Sequence, residues 1–324
     1  MAGLFYRISQ GNSGQLPNIC ELYDQYHTYF EGNRYNFTQY TIAMKNILVP
    51  IDFSATARNA GRYALQLAEQ LGAPKVIFYN AYQAPLMVDP MVPAVQLMNE
   101  DTLKNDSKEA LEKFKLFVKA FCPPTCEIDT FSEYALLNEG LDAVCASTGS
   151  SLIVMGITGG GLLTEKLIGS NTISVARHSH VPVIIVPPNA RFTKIEEIML
   201  LSDFDKADKT IPVAPLRKVI EETKAKLFVF NVEEEVDEYG VTYPSNVLGE
   251  SYAVHTLLQD MEPEYHFTKN KNYMKAIDEF VLEHHIDLII TIPQKHGFFE
   301  SLFTSSHTKR LAFHSHIPLM VIHR

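Results

Sequence analysis

The stretch Ala176-Arg177-His178-Ser179-His180-Val181-Pro182 returns, barely changed, as Ala312-Phe313-His314-Ser315-His316-Ile317-Pro318. Other pairs keep the same order. Ser202-Asp203-Phe204 comes after a short apolar run as Ile51-Asp52-Phe53 does, KLFVFNV at 226–232 echoes KVIFYNA at 75–81, and Leu288 to Ile292 echoes Leu152 to Met155. Ordered self-similarity of this kind means one supersecondary plan used twice. Residues 44–324 therefore read as two copies of one fold, joined near Pro187 to Lys194.

Within the first copy, short apolar runs alternate with helical periodicity. Strands are expected at 45–50, 75–81, 127–131, 152–155 and 183–186. Ser54 is placed to cap a helix with apolar Ala57, Ala60, Ala64, Leu65, Ala68 and Leu71, and Gly72 to end it in the left-handed conformation. Further helices are expected over about 102–121, stopped by Pro123-Pro124, and over 136–147 and 172–178. The proline-bearing stretch Gln83 to Asn99 reads as a loop insertion. Alternation of strand and helix implies right-handed parallel βαβ units, hence an α/β fold with a doubly wound sheet. With strand order 3-2-1-4-5, strands 1 and 4 flank the reversal, beyond whose carboxyl ends such sheets bind ligands. Asp52 lies just past the first and Gly156 just past the second.

The segment after strand 4 is rich in glycine: Gly156-Ile157-Thr158-Gly159-Gly160-Gly161, running on to Gly169-Ser170-Asn171-Thr172. Glycine lets backbone approach a ligand closely, and the free N–H groups of the next helix form an anion site, with Ser170 the expected N-cap. The glycines at 156 and 169 are read as clearances for a ligand, with no part in the core. Gly156 and Gly161 have Walker A spacing, but Leu162-Leu163 stand where Lys and Ser/Thr are required.

Composition narrows the function. A net charge of −10 argues against a broad nucleic-acid footprint, and no apolar run approaches the ~20 residues of a membrane helix. Cys20, Cys122, Cys126 and Cys145 fit reduced thiols in the cytoplasm, since Cys122 and Cys126 match neither a redox C-x-x-C nor half a zinc site. His178/His180 and His314/His316 sit where helices end and suit the dipole there, so no metal is assigned to them. Glu283-His284-His285 reads as a solvent-facing helix end, and the acidic run from Glu233 to Glu238 as a solvated loop. Glu165 is the only acid in the glycine loop and no nucleophile signature occurs, so no catalytic residue is assigned.

The matching stretches KNILVPIDFSATA (45–57), VIFYNAY (76–82) and LIVMGITGGGLLTEKLIGSNTISVARHSHVPVIIVP (152–187) resemble the universal stress protein family, and the whole resembles its tandem members. The resemblance implies two tandem, Rossmann-like, five-stranded doubly wound parallel sheets. These would span 44–190 and 195–324, after an upstream extension over 1–43 that is expected to pack poorly. It implies ATP in the first copy, with Mg²⁺ left open. Pro50 and Asp52 would face adenosine and Ala81 adenine, with Gly156 and Gly159 at ribose and phosphate. Gly169, Ser170, Asn171 and Thr172 would hold the phosphates through N–H and hydroxyl groups. The second copy places Ile292 at the Gly156 position, Lys295 at Gly159 and Ser305 at Gly169 while keeping Asp203, so it is expected not to bind ATP in that way.

The implied function is a cytoplasmic, ATP-binding stress-response module. An interaction scaffold with empty sites and a weak ATP-hydrolysing enzyme stay open. So does a homodimer, while the strands at 183–186 and 319–322 are expected to pair inside one chain.

Overall fold

The computed structural model describes residues 46–83, 100–157, 169–202, 211–233, 254–270, 273–293 and 316–323. The expectations for residues 1–43, the insertion at 84–99, Gly159 to Gly161, Glu165, Asp203, the acids after Glu233, Lys295, Ser305 and His314 lie outside the described residues.

The first half runs β1 (Asn46–Pro50), α1 (Ala55–Leu71), β2 (Lys75–Tyr82), α2 (Glu100–Val118), β3 (Glu127–Tyr134), α3 (Leu137–Thr148), β4 (Ser150–Gly156), α4 (Ser170–His178) and β5 (Val183–Val186). The second runs β6 (Glu197–Leu201), α5 (Val213–Thr223), β7 (Lys226–Glu233), β8 (Glu264–Lys269), α6 (Tyr273–Glu283), β9 (Leu288–Thr291) and β10 (Leu319–Val321). Local chemistry sets the ends. Ser54 Oγ accepts from the Ala57 N–H, and Gly72 closes α1 at φ 61°. After α6 no glycine is present, so His285 takes the left-handed position itself at φ 53°. That turn stops the helix at Glu283, two residues short of the expected 285. His284 is not solvent-facing as expected: its ring lies 4.2 Å from Phe280 and 5.0 Å from Phe228, in a cluster that includes His266. Strand β8 (EYHFTK) escaped sequence reading because its alternation is short and polar.

The strands join in the order β3-β2-β1-β4-β5-β10-β9-β6-β7-β8. Each half has the expected order 3-2-1-4-5 with parallel pairing, and the halves share one sheet rather than holding two separate ones. They meet where β5 and β10 run antiparallel, pairing Val183 with Val321, Ile184 with Met320 and Ile185 with Leu319. This is the pairing expected from two apolar edge strands: each edge satisfies the other's exposed N–H and C=O groups. Helices cover both faces, so central strands are buried on both sides. Ile47 and Val49 of β1 join one core cluster and Leu48 the other.

At the seam His178 and His180 take different partners. His178 Nδ1–H donates to the Ser174 carbonyl at 2.9 Å, and His180 Nδ1–H to Asp142 at 2.7 Å. Burial pushes the Asp142 carboxyl up, but hydrogen bonds from His180 and Ser179 outweigh it and hold it below the ordinary range.

His323, just past β10, reaches across the seam and donates from Nε2 to the Arg177 carbonyl at 3.2 Å. Burial holds its pKa below the usual histidine value. The bond to Arg177 and the charge of Asp142 oppose that shift, and His180 and His178 add to it. The unfolded chain therefore binds the proton more readily, and stability is lost as pH falls below the unfolded value of about 6.5. Urea unfolding at descending pH should show this loss, and His323→Phe should lose less between pH 7.5 and 5.5 than the parent. Equal losses would mean that His323 is not the titrating group.

Candidate functional site

β1 and β4 lie side by side at the point where strand order reverses, with crossovers leaving in opposite directions. Beyond their carboxyl ends opens a cleft whose lining includes Pro50, Asp52, Ala81, Gly156, Gly169, Ser170, Asn171 and Thr172. These are the candidate residues named from sequence, apart from Gly159, which lies outside the described residues.

Each segment arrives in the cleft for a local reason. After Pro50 the chain turns sharply at Phe53, whose φ of 64° is unusual for a residue with a side chain. The turn lets Asp52 Oδ1 accept from the Ser54 N–H at 3.0 Å and starts α1. Asp52 is solvent-exposed. On β2, the buried Asn80 donates to the Ile51 carbonyl at 2.7 Å and accepts from Ser107 at 2.7 Å, holding the end of β1 against β2. The second half repeats this clasp: Asn231 donates to the Ser202 carbonyl at 2.8 Å. Asn80, Tyr79, Leu137 and Met155 also line the cleft and were not singled out from sequence. The available signal was Asn80, a polar residue inside an apolar strand that recurs in the second copy.

The glycine-rich segment leaves at Ile157 and returns at Gly169, and its stem is closed by two bonds. The Gly169 N–H donates to the Ile157 carbonyl at 2.9 Å, and the Thr172 hydroxyl to the Gly156 carbonyl at 3.0 Å. Two expectations change here. The N-cap of α4 is Gly169, not Ser170, because the chain is already helical at Ser170. Thr172, only 3% exposed, spends its hydroxyl proton on Gly156, which leaves its N–H rather than its side chain for an anion.

Gly156 is also more than a clearance for a ligand. A Cβ there would lie 2.9 Å from the carbonyl carbon and oxygen of Thr56 in the first turn of α1. The glycine lets β4 and α1 touch. Its counterpart Ile292 instead packs against the core cluster.

Chemically the cleft offers anion-binding donors. The N–H groups of Ser170, Asn171 and Thr172 begin α4 and make no hydrogen bond among the described residues, and the positive end of the helix dipole lies with them. Asp52 is the only acid among the described lining residues. No group of three or more metal-ligating side chains occurs among the described residues, and no described helix is long and apolar enough to cross a membrane.

The sequence model of the universal stress protein family matches residues 44–187. Residues 44–187 belong to the universal stress protein family. A curated relative, the universal stress protein MJ0531 of Methanocaldococcus jannaschii, is 28% identical over 142 residues, which is 44% of this chain and 81% of that protein. Among solved structures, a universal stress protein from Archaeoglobus fulgidus superposes with a TM-score of 0.58 at 19% identity, covering 86% of this chain and 96% of that one. A Pseudomonas aeruginosa structure, named as a candidate universal stress protein, gives 0.51 at 11% identity, covering 87% and 94%. Both alignments extend well beyond the matched universal stress protein domain. At these identities they establish that the fold continues through the second half.

Proposed function

We propose that the protein is an ATP-binding stress-response module of the cytoplasm, holding one nucleotide in the cleft of the first half. The observation that carries this reading is the convergence of Pro50, Asp52, Ala81, Gly156 and Gly169–Thr172 on one cleft from distant parts of the chain. Ala81 and Tyr79 would flank the base, Asp52 the ribose, and the N–H groups at the start of α4 the phosphates. Gly159 would complete the phosphate contacts. With Asp52 as the only lining acid, the described cleft has neither a carboxylate pair for Mg²⁺ nor a placed general base. The reading is therefore of nucleotide occupancy acting as the signal, not of turnover.

The second half is proposed as a structural copy, its edge committed to the seam and its Gly156 position filled by Ile292. Isothermal titration of the intact chain with ATP should give one site, unaffected by Asp203→Ala. Two equivalent sites, or a site lost with Asp203, would put the nucleotide in the wrong half. No binding at all would leave the scaffold reading.

A further inference from the structure

A second cavity, of about 260 Å³, lies away from the nucleotide cleft, where the linker between the halves passes α1 and the starts of β9 and β10. Its lining includes Tyr63, Asn189, Arg191, Thr193, Asp287 and His316. These side chains are carried by a fixed frame. Asn59 Nδ2 donates to the Pro187 and Ala190 carbonyls at 3.0 and 2.9 Å, and Gln70 exchanges bonds with Ile195 N–H and C=O at 2.9 and 2.8 Å. The Tyr63 ring is set edge-on to Phe192 at 5.2 Å.

The groups left over are all able to donate. Asp287 is already engaged: Oδ1 accepts from the Thr193 hydroxyl at 3.1 Å, and Oδ2 from the Glu196 and Glu197 N–H groups at 2.9 and 3.1 Å. Three donors satisfy its oxygens and make it part of the frame, though its negative charge remains. Tyr63 is only 3% exposed, yet its hydroxyl makes no hydrogen bond among the described residues. Burial, with the Asp287 charge second, raises its pKa far above the ordinary phenol value, so the hydroxyl keeps its proton and stays a donor. Arg191, Asn189 and His316 are solvent-exposed on the cavity lining and have no hydrogen-bond or ion-pair partner among the described residues. A donor on the cavity wall can take an acceptor there, and a guanidinium on the same lining favours one that carries charge.

We propose that this cavity is a second ligand site, taking a small oxyanion, a phosphate or a carboxylate, between Arg191, His316 and the Tyr63 hydroxyl. Because the linker and both halves contribute to the cavity, an occupant would tie the two halves together and stabilise the folded chain.

The test is calorimetric titration of the full-length protein with inorganic phosphate and, separately, with malonate. The titrations use Gly169→Val, in which the anion donors of the nucleotide cleft are blocked, and at least one of the anions should still bind; each further substitution in these titrations is added to that variant. Arg191→Gln should bind it at least tenfold more weakly, and Tyr63→Phe, which keeps the ring and its packing, should also weaken it. Phosphate alone binding would assign the site to phosphates, and malonate alone to carboxylates. ATP affinity should be the same in Arg191→Gln alone as in the parent, which separates this site from the nucleotide reading. Binding of neither anion, or unchanged affinity in Arg191→Gln, would overturn the proposal.

Discussion

Gly169→Val should abolish measurable ATP binding and leave thermal stability unchanged. Gly169 sits at φ −62° and ψ 142°, ordinary extended backbone, so a side chain there imposes no backbone strain. It also lies immediately before the three N–H groups that open α4, at the cleft wall. A branched side chain at that point would keep phosphate oxygens from the N–H groups, and each donor left unpaired in the bound state costs about 1–3 kcal/mol. Two or three such losses weaken affinity by roughly thirtyfold to more than ten-thousandfold, since 1.4 kcal/mol is about tenfold. Titration calorimetry and a melting curve on the same sample would check both halves of the expectation. Parental affinity in Gly169→Val would remove the start of α4 from the phosphate site.

Gly156→Val should behave quite differently, although sequence spacing reads both glycines as clearances for a ligand. Its Cβ would meet the Thr56 backbone at 2.9 Å, and the neighbour is main chain rather than a flexible side-chain tip. Either β4 or the first turn of α1 must move. Overpacking of this kind costs about 1–3 kcal/mol and occasionally more, and valine adds two further carbons. For a chain of this size that is a fall in melting temperature of roughly 2–5 °C. Nucleotide binding should be lost as well, because Asp52 lies at the start of the same turn. Scanning calorimetry would separate the two glycines: a variant as stable as the parent would mean that the contact with Thr56 relaxes freely.

The strands and helices of the first half were legible because their signals are local. Apolar runs bounded by breakers set β1, β2, β4 and β5, and Ser54 and Gly72 bound α1 through bonds made within one turn. Strand order came with the family resemblance, while the handedness of βαβ crossovers, set by the twist of the chain, gave only the parallel, doubly wound build. The internal repeat extended that frame to the second half, although β8 was missed because a polar edge strand lacks an apolar run. The meeting of β5 and β10 was also foreseeable, as two apolar edges in one chain have few other ways to satisfy their backbones.

Sequence alone thus determined the α/β alternation, its duplication and the segments that gather at the cleft, because each depends on periodicity or on residue types with restricted backbone choices. How those segments act on one another depended on tertiary structure. Spacing cannot reveal that the Thr172 hydroxyl is committed to Gly156, that Gly156 makes room for Thr56, or that Asn80 clasps the end of β1. Nor can it show His284 turned into an aromatic cluster, or the linker closing a cavity against Tyr63. These are contacts between residues far apart in the chain, and they arise only when the sheet brings distant backbone within a few ångströms.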